Sequence, residues 1–123
     1  GFVTALHGAD LLWLESPTNP LLEVADLPTL LGAARARGVL TVVDNTFLSP
    51  ALQTPIAFGA DFVVHSTTKY INGHSDVVGG AAVAKDPALH EQLTWWANAL
   101  GLTGSGCVAG ALRHAGRGGH CHV

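Results

Sequence analysis

The sequence is poor in charge, in cysteine and in long apolar runs, and it has no methionine. Only 12% of its 123 residues are charged and 48% are hydrophobic, whereas an average soluble domain is about 25% charged. That balance excludes disorder, and a surface so thinly charged is expected to be covered in part by something else. Six Lys and Arg against nine Asp and Glu give a net charge of -3 with no basic stripe, which removes the electrostatic footprint of a nucleic-acid or anionic-membrane partner. No apolar run approaches the roughly 18 residues of a spanning helix, and residues 1–10 lack the basic start and apolar stretch of a secretory signal. A cytoplasmic protein is expected. The two cysteines, Cys107 and Cys121, leave the body of the chain without a disulfide framework, in keeping with a reducing compartment. Lacking methionine and opening Gly1-Phe2-Val3, the chain is expected to be a slice of a longer protein.

The length suits one modest domain. All nine acidic residues precede Gly104, and both cysteines follow it. Residues 1–104 are therefore expected to be the folded body. Residues 105–123 (SGCVAGALRHAGRGGHCHV) are expected to be a Gly- and His-rich tail, either disordered or the out-of-frame ending of a longer gene product. A metal site on His114, His120, Cys121 and His122 is disfavoured, because adjacent ligands without C-x-x-C or H-x-x-x-H spacing give poor tetrahedral geometry.

The body alternates strands and helices. Residues 10–15 (DLLWLE) form a short apolar run suited to a buried strand, which Pro17 and Pro20 prevent from continuing as helix. From Asp26, a residue type suited to an N-cap, Leu27, Leu30, Leu31 and Ala34 recur at helical spacing until Gly38 offers the stop. Residues 39–43 (VLTVV) carry the β-branched, nearly continuous apolar character of a parallel strand covered on both faces, ending at Asp44. A segment broken by Pro50 and Pro55 leads to a third strand at 62–65, and 77–84 (VVGGAAVA) reads as a fourth. No helix long enough for a parallel crossover separates these last two, so the fourth strand is expected to run antiparallel. Asp86 and Pro87 open a final helix with Leu89, Leu93, Trp96 and Leu100 along one side and Gly101 at its end. The fold class is α/β, a mostly parallel sheet with helices on both faces and one antiparallel strand.

Open parallel sheets bind ligands at the carboxyl ends of their strands, and the unusual residues fall there, at 15–19, 44–46 and 66–69. Lys69 sits among hydroxyls in Ser66-Thr67-Thr68-Lys69-Tyr70. An amine in that setting can form a Schiff base, and its neighbours can donate to phosphate oxygens. Pyridoxal phosphate uses both features. It also needs a carboxylate at its pyridine nitrogen, since a protonated ring accepts electrons from a substrate carbanion, and Asp44 is placed for that. A P-loop is excluded, because no G-x-x-x-x-G-K-[ST] pattern exists.

Three stretches carry a resemblance: Glu15-Ser16-Pro17-Thr18-Asn19-Pro20, residues 42–53 (VVDNTFLSPALQ) and residues 65–80 (HSTTKYINGHSDVVGG). Together they resemble the Cys/Met-metabolism pyridoxal-phosphate enzymes over about residues 9–104. The stretches 45–53 and 93–104 look most like the branch that joins an O-acylhomoserine to cysteine, giving cystathionine. The γ-lyases and β-lyases of the family are the alternatives, as is an inactive truncated remnant. The resemblance implies a fold-type I large domain with a seven-stranded sheet, in a cytoplasmic homotetramer built as a dimer of dimers and acting on amino-acid substrates. It gives Lys69 the cofactor attachment and the proton shuttle, Asp44 the pyridine nitrogen, Ser66 and Thr68 the phosphate, and Asn19 the substrate carboxylate. His65, Asn72, His74 and Asp76 are expected to fix the turn around Lys69 and are left out of the site, and no metal is expected. The family's phosphate loop, ring-stacking tyrosine and carboxylate-binding arginine find no match here, so the 123 residues alone are expected to be inactive.

Overall fold

The computed structural model describes residues 2–102 and 121–122. In chain order the elements are α1 (Phe2–Ala5), β1 (Leu11–Glu15), α2 (Leu27–Arg35), β2 (Leu40–Asp44), α3 (Ser49–Leu52), α4 (Pro55–Phe58), β3 (Phe62–Ser66), β4 (Gly80–Ala84), α5 (Pro87–Leu100) and β5 (Cys121–His122). One sheet holds the strands in the order β1-β2-β3-β4-β5. The pairs β1–β2 and β2–β3 are parallel, while β4 runs against both β3 and β5. The antiparallel fourth strand is thus as expected. Of the expected tail, only the β5 pair lies within the described residues.

The helix α2 forms where its signals stand. The Asp26 carboxylate accepts from Thr29 N at 3.2 Å and from Thr29 Oγ1 at 2.7 Å, satisfying one of the first-turn amides that no helix can satisfy itself. At the other end Gly38 N donates to Arg35 O and Val39 N to Ala34 O, each at 3.1 Å. This closure needs the left-handed backbone that Gly38 adopts at φ 68°. Between the caps, Leu27, Leu31 and Ala34 are buried against Leu12, Leu14, Val43 and Val63 of the sheet. Each fully buried leucine contributes about 1.5–3 kcal/mol.

Thr41, Val42 and Val43 are buried in succession, so the middle of β2 is covered on both faces as its composition predicts, while Leu40 at its start is exposed. β1 differs. Leu12 and Leu14 are buried, but Trp13 is 59% exposed and Leu11 48%, because among the described residues only the face of β1 turned toward α2 is covered. The fourth strand starts at Gly80 rather than at 77: Gly79 O still accepts from Thr67 N at 2.9 Å in the ladder's register, but Gly79 N turns to Thr68 Oγ1 at 3.0 Å and the ladder stops there. In α5, capped by Asp86 and by Gly101 at φ 70°, the expected apolar side is half-buried at Leu89 and Leu93 but exposed at Trp96 and Leu100. No helix among the described residues is long and apolar enough to cross a membrane.

Candidate active site

The parallel register ends with Glu15 opposite Asp44, and Asp44 opposite Val64. Side chains alternate faces along a strand, so Glu15, Asp44 and Ser66 emerge on one face at the carboxyl ends of three neighbouring strands. A cavity of about 830 Å³ opens there. Its lining includes all five residues proposed from the sequence: Asn19, Asp44, Ser66, Thr68 and Lys69. Glu15, Thr46, Phe47, Tyr70 and Asp76 complete much of the rest.

Short local bonds set each of these groups. Asp44 Oδ1 accepts from Thr46 N at 2.9 Å, a turn in which the carboxylate holds the backbone that follows it. Thr46 Oγ1 in turn accepts from Ser66 N at 2.8 Å, joining the ends of β2 and β3. Lys69 follows a tight turn, its own N–H donating to Ser66 O at 3.3 Å and its carbonyl accepting from Gly73 N at 2.8 Å. The Phe47 and Tyr70 rings meet at 6.4 Å, tilted by 53°. On the β1 side, Asn19 N donates to Glu15 Oε2 at 3.5 Å, and Thr18 N to Glu23 O at 3.0 Å. The bonds Ser16-Pro17 and Asn19-Pro20 are cis.

Asn72 and Asp76 take the turn-fixing place expected of them. Asn72 Nδ2 donates to Asp76 Oδ1 at 2.7 Å, and this bond holds the Asp76 carboxyl below its ordinary value. His65 behaves differently. It is 6% exposed inside β3, and its Nδ1 has no partner among the described residues. Burial lowers its pKa, against the opposing charge of Asp44 and a backbone hydrogen bond at Asn45. Thr68 also departs from a simple phosphate ligand, because its hydroxyl donates to Gly79 O at 3.2 Å while accepting from Gly79 N.

Three residues that sequence reasoning left without a role lie just behind the cavity. Asn45 and Ser16 are each 1% exposed, and the Gln53 side chain bonds to both. All three stand inside the quoted motifs, but a motif does not disclose which of its members meet in space.

The donor set suits pyridoxal phosphate: an amine for its aldehyde, a carboxylate for its ring nitrogen and hydroxyls for its phosphate, around one cavity. Fold and cavity thus define an α/β protein with a lysine-and-carboxylate site at the carboxyl ends of parallel strands. The profile of the Cys/Met metabolism PLP-dependent enzymes matches residues 5–112, and the chain belongs to that family. Cystathionine gamma-synthase of Escherichia coli (strain K12) is 60% identical over 94 residues, 76% of this chain and 24% of that protein. Cystathionine gamma-lyase of Dictyostelium discoideum is 48% identical over 95 residues, 77% of this chain and 24% of that one. Among solved structures, cystathionine gamma synthase from Xanthomonas oryzae pv. oryzae in complex with cystathionine superposes with a TM-score of 0.87 at 60% identity, over 93% of this chain and 31% of that one. The methionine gamma lyase CalE6 from Micromonospora echinospora, in its apo form, gives a TM-score of 0.87 at 44% identity, over 94% and 32%. The chain therefore spans about a quarter of the length of the curated relatives it matches.

Proposed function

We propose that this chain supplies the cofactor-holding part of an enzyme that replaces the γ-acyloxy group of an O-acylhomoserine with the sulfur of cysteine, giving cystathionine and the free acid. The observation that carries the reading is the gathering of Lys69, Asp44, Ser66, Thr68 and Asn19 around one cavity. The higher identity to a gamma-synthase than to a gamma-lyase supports γ-replacement over γ-elimination. Residues 1–104 belong to the large domain in this reading, with 105–123 a separate tail, and the complete protein is a cytoplasmic homotetramer.

Pyridoxal phosphate, when bound, supplies the electron sink for a carbanion at the substrate α-carbon. The chain's own groups do the rest. Lys69 Nζ is the attachment point and then the movable base, taking protons from Cα and then from Cβ so that the γ-acyloxy group can leave as the free acid, and returning protons to Cβ and Cα after the cysteine sulfur has added at Cγ. Asp44 holds the proton on the ring nitrogen through a charge-assisted hydrogen bond, about twice as strong as a neutral one. Ser66 Oγ donates to the phosphate. Thr68 can do so once its hydroxyl proton turns away from Gly79 O, a 3.2 Å bond. Asn19, on the loop after β1, holds the substrate carboxylate.

Borohydride reduction of the cofactor-loaded protein followed by peptide mapping tests the assignment. A pyridoxyl label on Lys69 is expected, and a label confined to Lys85 overturns it. Incubation with an O-acylhomoserine should release cystathionine only when cysteine is present. Release of a 2-oxo acid and ammonia as the main products would instead select a lyase.

A further inference from the structure

We propose that Gln53 is a positioning residue that fixes the substrate loop after β1 against the cofactor-binding end of β2. This rests on the functional reading above. Gln53 follows α3 with an extended backbone at φ -145° and ψ 134°. Its Nε2 donates to Ser16 O at 3.0 Å and to Asn45 Oδ1 at 2.9 Å, and Asn45 Nδ2 donates back to Gln53 O at 2.8 Å. The amide orientation is fixed by chemistry, because a carbonyl such as that of Ser16 can only accept.

The position of this clamp gives it its meaning. The β1–β2 register ends at Glu15 and Asp44, and Gln53 ties together the next residue of each strand, where the backbone ladder stops. Ser16 leads into the loop that carries Asn19, and Ser16 Oγ accepts from Ala25 N at 3.1 Å, closing that loop's far end. Asn45 lies between Asp44 and Thr46, and its N–H donates to Val64 O at 3.0 Å. One amide thus bridges the segment that presents the substrate ligand and the segment that presents the cofactor carboxylate. Gln53, Ser16 and Asn45 are absent from the cavity lining, so Gln53 acts through its neighbours and touches neither ligand.

Only a primary amide meets both acceptors with two N–H groups. Glutamate at this position turns a carboxylate oxygen toward the Ser16 carbonyl, and methionine fills the space while leaving that buried carbonyl unpaired. The experiment compares Gln53→Glu and Gln53→Met with the unmodified enzyme by hydrogen exchange and by steady-state kinetics. Amides of residues 16–25 should exchange on the order of tenfold faster in both variants, with β2 and β3 protected as before. The KM for the O-acylhomoserine should rise by on the order of tenfold to a hundredfold, more than kcat falls, with borohydride labelling of Lys69 retained. Unchanged exchange at 16–25 or an unchanged KM overturns the proposal. Faster exchange over all strands alike, or a variant that does not fold, marks Gln53 as a general folding residue and overturns it too. Failure of the functional reading is distinct, since it appears as absent Lys69 labelling in the unmodified enzyme.

Discussion

Ser66 and Thr68 present the same functional group to the cavity, yet their surroundings differ, and so should their variants. The Ser66 hydroxyl has one assigned task, so Ser66→Ala should weaken cofactor retention by about 1.5–3 kcal/mol, the worth of one hydrogen bond to a charged group. Thr68→Ala removes that bond and both contacts to Gly79, so it should also lower thermal stability, while Thr68→Ser should restore both properties. Cofactor titration alongside thermal melting separates the two cases, and equal melting temperatures for Ser66→Ala and Thr68→Ala would contradict the role of Gly79. Asp44→Asn should keep the cofactor but slow carbanion formation, because an amide cannot hold the ring nitrogen charged; unchanged turnover would remove Asp44 from its place. His65 gives a pH dependence. Its folded pKa lies below the ordinary value near 6.5, so below that pH the unfolded chain takes up the proton more readily than the folded one. The contribution is fully present above about pH 6.5 and is lost as pH falls through the lowered folded value. Denaturant titrations between pH 7.5 and about 5 should show a loss of stability that is smaller in His65→Gln, and parallel curves for the two proteins would refute it.

At the scale of the element, α2 shows how much a short helix depends on its ends and its buried stripe. Gly38→Ala forces a Cβ into the left-handed region at φ 68° and should cost roughly 1–2 kcal/mol. Leu31→Ala, at a side chain with 0% exposure, should cost about 2–5 kcal/mol, and chemical denaturation of both variants checks that order. The same features made α2 legible in the sequence: Asp26, the i, i+4, i+7 row of Leu27, Leu31 and Ala34, and Gly38 are all local signals. The final helix was legible in the same way, from Asp86 to Gly101. By contrast, α1, α3 and α4 have four residues each, barely one turn, so no periodicity could announce them. The antiparallel direction of β4 followed from the lack of room for a crossover, but its start did not, because Gly79 is engaged by Thr67 and Thr68 from the preceding turn. The cavity residues were legible because their motifs sit at strand ends. The Gln53 clamp was not, since its bond to Ser16 joins residues 37 apart in the sequence, and no local pattern reports such a pairing.

For the whole molecule, the distribution of apolar surface decides solution behaviour. The α2 side of the sheet holds the buried cluster of Leu12, Leu14, Leu27, Leu31, Val43 and Val63. On the opposite face Leu11 and Leu40 stand in register, and they are 48% and 38% exposed beside Trp13 at 59%. Trp95 and Trp96, in edge-to-face contact at 4.8 Å, add a second exposed aromatic area on α5. With only 12% of its residues charged, the chain has few charges to keep this surface dispersed. Removing such surface from water is favourable by about 25 cal/mol per Å², and an exposed edge strand adds unpaired backbone groups to the same region. The 123-residue chain, purified by itself, should therefore sediment as species heavier than its 12.7 kDa. Trp13→Lys combined with Leu11→Lys should shift that distribution toward monomer, because both positions are exposed and neither belongs to the buried cluster. The far-ultraviolet circular dichroism should be preserved in the double variant. A monodisperse monomer before substitution, or association that persists unchanged after it, would show that this face does not govern how the chain associates.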